Sequence, residues 1–125
     1  RYLQDLPDEP VWIDGSGLSR YNLFTPRTLV SLWQKIYGVV PRERLFSIVA
    51  VGGKPGTLQN FYNADVPYLF GKTGTLTNNY SLSGFLVTRK GRKIAFACMN
   101  NNFKVQSVEI KRAVEKIIKQ LHENL

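Results

Sequence analysis

The chain has 125 residues, 43% of them hydrophobic, enough for one domain with a real core and too apolar for a disordered segment. Its 17 Lys and Arg against 9 Asp and Glu leave a net charge of +8, which favours acidic partners: nucleic acid, an anionic membrane surface, or an anionic polymer such as cell wall. No nucleic-acid-binding motif accompanies the charge, no apolar run approaches the roughly eighteen residues of a transmembrane helix, and the lone Cys98 has no partner for an internal disulfide.

The chain opens on Arg1-Tyr2-Leu3, with neither an initiator methionine nor a signal peptide, as a piece cut from something longer would. Residues 10–13 form a short apolar strand candidate that runs into the turn cluster Asp14-Gly15-Ser16-Gly17. A helix follows, with Thr25 as cap and Pro26 in the first helical position. Leu29, Val30, Trp33, Ile36 and Tyr37 lie on one face, and Gly38 is the expected stop. A second, shorter helix is predicted over 41–49, ended by Gly52-Gly53, and residues 54–63 read as loop.

The second half is more regular. Strands are predicted at 68–75, 80–88 and 93–99, joined by Asn78-Asn79 and by a basic turn around Gly91, which is the pattern of an antiparallel meander. The third of them is apolar on both faces, as a central strand covered on both sides would be, and Cys98 within it reads as a small buried hydrophobe. From about Ser107, Ile110, Val114, Ile117, Ile118 and Leu121 repeat at helical spacing, so an amphipathic helix closes the chain and packs on the sheet. His122 lies on this charged helix, away from any second metal ligand.

Chemistry concentrates at Lys72-Thr73-Gly74: an ammonium, a hydroxyl and a glycine in series on a strand, a way of holding a carboxylate beside a reactive carbonyl. Gly71 and Gly74 bracket the cation, and glycine within a strand marks a bulge or the close approach of another chain, a substrate backbone among them. Gly71-Lys72-Thr73 also ends like a phosphate loop. That motif requires glycine where this chain has Val66, and a helix directly after Thr73, where it has Gly74 and strand-forming residues. The plain alternative is a lysine in an ordinary hairpin.

Upstream stands Asp14-Gly15-Ser16-Gly17-Leu18-Ser19-Arg20-Tyr21-Asn22, and downstream Tyr80-Ser81-Leu82-Ser83-Gly84-Phe85. Together with Lys72-Thr73-Gly74 these strings resemble the C-terminal part of the D-alanyl-D-alanine carboxypeptidases/endopeptidases of the peptidase S13 family, low-molecular-mass penicillin-binding proteins of the penicillin-binding protein 4 type. The resemblance implies an α/β fold of α+β type: an antiparallel sheet flanked by helices, the C-terminal part of a serine β-lactamase/transpeptidase-like domain. It implies no cofactor and no metal. The partners it implies are peptidoglycan stem peptides and β-lactams, and the location it implies is the cell envelope or periplasm.

The family's chemistry needs a serine three residues before a lysine, and a Ser-x-Asn element. None of Ser16, Ser19, Ser31, Ser47, Ser81, Ser83 and Ser107 has Lys at the third position after it or Asn at the second, and Ser19-Arg20-Tyr21-Asn22 is one residue too long to be the second motif. Residues 1–125 therefore read as a single C-terminal portion of the peptidase domain, lacking the upstream part with the nucleophile, inactive alone and prone to self-association through the face so exposed. In the parent mechanism the resemblance implies, a serine ester forms and is hydrolysed. Lys72 and Thr73 hold the substrate carboxylate, Gly74 lets the backbones close up, and the Thr75 N–H is one oxyanion donor. Arg20 and Thr77 would line the pocket for the third residue of the stem peptide, with Thr77 standing where related sequences carry glutamine. Asp14 and Ser16 read as turn caps. A non-catalytic module that binds peptidoglycan or another anion through its basic surface is the competing reading.

Overall fold

The structure is a computed structural model and describes residues 3–125; Arg1 and Tyr2 lie outside the described residues. The N-terminal segment is fastened to the start of the first helix, α1 (Pro26–Val39). The Thr25 hydroxyl accepts from the Thr28 amide at 3.2 Å and donates to the Asp8 carboxylate at 2.6 Å. Arg27 donates to the same carboxylate, and the buried Thr28 hydroxyl donates to the Asp8 carbonyl at 2.8 Å. Arg27 first, then Thr25, holds the Asp8 carboxyl below its usual range.

The helix does not stop at Gly38 but continues to Val39, with Val40 as its extended C-cap at φ −105°, ψ 130°. Gly38 is only a weak point in a helix, whereas Pro41 drives the residue before it out of helical geometry, so the proline sets the end. α2 (Arg42–Ile48) follows, and then a strand absent from the sequence reading, β1 (Ala50–Val51), too short to announce itself by alternation. The expected strand at residues 10–13 is reduced to a single bridge between Val11 and Leu23. Its apolar side chains have no neighbouring strand to hold them, and Trp12 and Ile13 remain 55% and 68% exposed.

β2 (Leu69–Leu76), β3 (Asn79–Val87) and β4 (Lys93–Asn101) form the expected antiparallel meander, and the sheet order is β1-β2-β3-β4. The β2–β3 register pairs Leu69 with Leu86, Gly71 with Gly84, Lys72 with Ser83 and Thr75 with Tyr80. Opposed residues share a face, and the faces alternate along the strand. One face carries Leu69, Leu82, Leu86 and Tyr80, packed with Leu58, Tyr62, Tyr68 and with Val114 and Ile118 of α3 (Ser107–Asn124). The other carries Phe70 and Phe85 against Trp33, Tyr37 and Phe46, with ring centroids 4.8 to 5.7 Å apart.

β4 is not the central strand its composition suggested; it is the outer strand, and β3 is the buried one. Helices explain the discrepancy. Phe96 and Cys98 face the core shared with α3, while α1 lies against the opposite face, so both sides of β4 are apolar although one edge has no strand beside it among the described residues. Cys98 is accordingly half-buried rather than enclosed.

α3 begins with a capping box between Gln106 and Glu109 and turns its basic residues outward. Two contacts pin it from below. The Glu115 carboxylate accepts from the Tyr62 amide at 2.7 Å, and the His122 ring stacks on Tyr68 at 4.1 Å with Nδ1 donating to the Val87 carbonyl at 2.6 Å. His122 thus locks the helix end to the sheet.

The Tyr62 hydroxyl is buried without a hydrogen-bond partner among the described residues, and burial pushes its pKa upward. An unpaired buried hydroxyl costs about 1–3 kcal/mol. Tyr62→Phe is therefore expected to leave the unfolding free energy obtained from urea titration unchanged or raise it; a fall of more than about 1 kcal/mol would mean that the hydroxyl has a partner.

Candidate active site

The Lys72-Thr73-Gly74-Thr75 segment lies in the half of β2 that has a strand on one side alone. β1 pairs only with Phe70 and Gly71, and the Gly52 amide adds a bond to the Leu69 carbonyl at 3.0 Å. From Lys72 to Leu76 the only strand partner among the described residues is β3. Lys72, Gly74 and Thr75 are exposed and Thr73 half-exposed, so this stretch presents an ammonium and backbone groups with no strand partner on one open edge among the described residues. The ammonium donates to the Thr73 carbonyl at 2.5 Å. The pleat sends the Lys72 and Thr73 side chains to opposite faces, Lys72 to the side of Phe70 and α1, Thr73 to that of α3.

The glycines around Lys72 do accommodate close neighbours, but those neighbours belong to β3. A Cβ on Gly71 would stand 2.5 Å from the Ser83 carbonyl oxygen, and one on Gly74 would stand 2.7 Å from Ser81 Oγ. Gly84, at φ +154°, leaves room for the Phe70 carbonyl oxygen only 2.1 Å from where its Cβ would be. Behind Lys72, the buried Ser83 hydroxyl accepts from the Trp33 indole N–H at 2.9 Å, tying α1 to the face from which the lysine emerges. Tyr80, opposite Thr75, is a core residue: burial pushes its phenol up to about 12, and it stays neutral.

The Asp14–Asn22 loop closes over the far end of β2. Arg20 Nη2 donates to the Thr77 carbonyl at 3.3 Å, bringing together two residues far apart in sequence, both exposed. The organiser of the loop is Asn22, a residue that sequence reasoning did not single out. Its side-chain oxygen accepts from the Ile13 and Asp14 amides at 2.9 and 3.0 Å, and its amide donates to the Asp14 carbonyl at 2.7 Å. An asparagine closing a Gly/Ser-rich turn cluster was the available signal. Asp14 and Ser16 act as turn caps: the Asp14 carboxylate accepts from the Ser16 amide and hydroxyl, and Ser16 Oγ accepts from the Leu18 amide at 3.2 Å.

Those Ser16 hydrogen bonds, the hydroxyl's first, hold the Asp14 carboxyl below its usual range. A depressed folded-state pKa contributes order that is present above the unfolded value and is lost as pH falls through the folded one. The Ser16 and Leu18 amides should therefore lose protection, with exchange rates corrected for the intrinsic slowing in acid, as the solution is acidified below the ordinary aspartate range. Asp14→Asn should flatten that dependence, as read by amide hydrogen exchange; a dependence that survives in Asp14→Asn would show that another group controls the loop.

The sequence profile of the D-Ala-D-Ala carboxypeptidase 3 (S13) family matches residues 8–125. Among relatives, the chain is 33% identical over 102 residues to the D-alanyl-D-alanine carboxypeptidase DacB of Haemophilus influenzae, covering 78% of this chain and 21% of that protein. It is 30% identical over 115 residues to the penicillin-sensitive carboxypeptidase A of Dictyostelium discoideum, covering 85% of this chain and 22% of that one. Penicillin binding protein 4 (dacB) of H. influenzae superposes with a TM-score of 0.79 at 26% identity, over 91% of this chain and 28% of its own; a second structure of it, complexed with a β-lactam, gives 0.76 at 27%, over 88% and 28%. The chain thus spans between a fifth and a third of the relatives named. With the Lys72-Thr73-Gly74 edge, the clamped Asp14–Asn22 loop and a match running from Asp8 to the last residue, the chain belongs to the D-Ala-D-Ala carboxypeptidase 3 (S13) family.

Proposed function

We propose that residues 1–125 are the C-terminal portion of a penicillin-binding serine D-Ala-D-Ala carboxypeptidase/endopeptidase of the cell envelope, a protease acting on peptidoglycan stem peptides from the periplasmic side. The observation that carries this reading is the open edge of β2 from Lys72 to Leu76, where an ammonium and unpaired backbone groups lie side by side. An extended peptide ending in a carboxylate fits such an edge: its backbone pairs with the strand, and its terminal charge meets Lys72.

In the proposed reaction a serine from the upstream part of the parent attacks the penultimate D-alanine carbonyl. The C–N bond breaks, D-alanine leaves carrying the proton taken from the serine, and water then hydrolyses the ester to release the shortened peptide. This chain's residues position and polarise. Lys72 neutralises the substrate carboxylate and supports the proton relay, and Thr73, whose side chain leaves the strand on the opposite face, meets the carboxylate from the other side of the open edge. Gly74 keeps the approach free of side chains, and the Thr75 N–H donates to the developing oxyanion. Arg20, fixed at the strand end by the Thr77 carbonyl, has guanidinium N–H groups left for an acidic or polar third residue of the stem peptide. A β-lactam follows the same path and stops at the ester.

A fluorescent penicillin tests the proposal. The 125-residue chain alone should take no label. The parent carrying an upstream Ser-x-x-Lys should be acylated, and Lys72→Ala in that parent should slow acylation by about 10²- to 10³-fold, the range for removing one transition-state donor. A labelled isolated chain, or a parent that resists labelling, would overturn it. We further propose that the isolated chain self-associates through the apolar surface of its N-terminal loop, where Leu18 and Tyr21 are 77% and 75% exposed beside Trp12, Ile13 and Leu23. Sedimentation equilibrium should then show a mass that rises with concentration; a constant monomer mass would contradict this.

A further inference from the structure

We propose that Ser81 is a further substrate-positioning residue: its hydroxyl, standing in the gap left by Gly74 on the face from which Lys72 emerges, donates to the carboxylate that Lys72 attracts. The inference rests on the reading of the site under Proposed function and adds a residue to it. Two hydroxyls of β3 project on that face, Ser83 opposite Lys72 and Ser81 opposite Gly74. They are differently engaged. Ser83 is 8% exposed and holds the Trp33 indole N–H, so it belongs to the packing between α1 and the sheet. Ser81 Oγ is half-exposed and has no hydrogen-bond partner among the described residues.

Glycine at position 74 makes this arrangement possible. Any Cβ there would come within 2.7 Å of Ser81 Oγ, so the missing side chain leaves that hydroxyl uncovered from the open edge of β2. Since the pleat sends Thr73 to the opposite face from Lys72, the hydroxyl nearest in register on the lysine's own face, not already committed, is that of Ser81. An ammonium and an O–H donor on one face would give a carboxylate two differently directed partners, and Ser81 has both its donor and its lone pairs uncommitted.

The test compares a carboxylate-bearing penicillin with its methyl ester as acylating agents of the parent enzyme. Ser81→Ala should slow acylation by the free acid about tenfold through weaker initial binding, leave the ester's rate within about twofold of wild type, and be rescued by Ser81→Thr, which keeps the hydroxyl. Equal losses for acid and ester would assign Ser81 a structural role and overturn the proposal, as would an unchanged rate with the acid. If the wild-type parent takes no label from either agent, the peptidase reading itself fails and this inference with it. A wild type that labels while Ser81→Ala behaves identically sinks only the inference.

Discussion

The close approach of β2 and β3 is the constraint on which the rest of the structure depends. Gly71 lies against the Ser83 carbonyl, Gly84 against the Phe70 carbonyl, and neither position tolerates a Cβ. Because opposed residues share a face, fixing Gly71 against Gly84 fixes every other pair in the ladder. Leu69, Leu82 and Leu86 go to the α3 side, Phe70 and Phe85 to the α1 side, and Lys72 beside Ser83 at the margin of the aromatic cluster. A slip by one residue would turn Lys72 toward the apolar core and expose the leucines. The register that builds the core is thus the register that presents the lysine.

The same constraint divides labour between the two ends of β2. At its start the strand is enclosed: β1 pairs with Phe70 and Gly71, Phe46 packs on Phe70, and Leu69 is fully buried. From Lys72 onward the enclosure stops. Here the stretch is an edge, with β3 and the Trp33–Ser83 bond behind it and no strand on its other side among the described residues. Arg20 closes the far end by bonding the Thr77 carbonyl, so the loop braced by Asn22 and the strand end are one unit. Under the proposed function such an edge recognises a peptide terminus, and the reactive chemistry needs a nucleophile brought to it from the rest of the parent protein.

What the sequence disclosed follows from what is local. The Thr25-Pro26 cap, the 3.6-residue spacing of α3 and the turn signals of the meander act over a few residues, and the elements they announce are present within a residue or two of expectation. The pairing of Lys72-Thr73-Gly74 with the Asp14–Asn22 loop was readable as a likeness between motifs, and Arg20 does meet Thr77. The departures are non-local. Nothing in residues 93–99 distinguishes a strand flanked by strands from one covered by helices, so β4 read as central. Nothing in the Gly71 and Gly74 spacing tells whether the approaching chain is substrate or β3. Asn22 went unremarked because its three partners sit on residues 13 and 14, across a loop whose closure has no periodic signature.

An open edge strand is ordinarily a hazard, since its unpaired N–H and C=O groups will accept any strand that arrives. An edge that is to pair with a peptide cannot be blunted by proline or covered by a loop. In this chain the exposure is rationed instead. β1 occupies the first two positions, the turn at Asn78 with φ +60° ends the strand, and the open stretch between carries the exposed Lys72. A cation there disfavours pairing with another copy of a chain whose net charge is already +8, and favours a peptide that ends in a carboxylate. Under the proposed function Lys72 would therefore both select the peptide and keep the edge from pairing with itself, and a neutral side chain at position 72 would weaken both effects together.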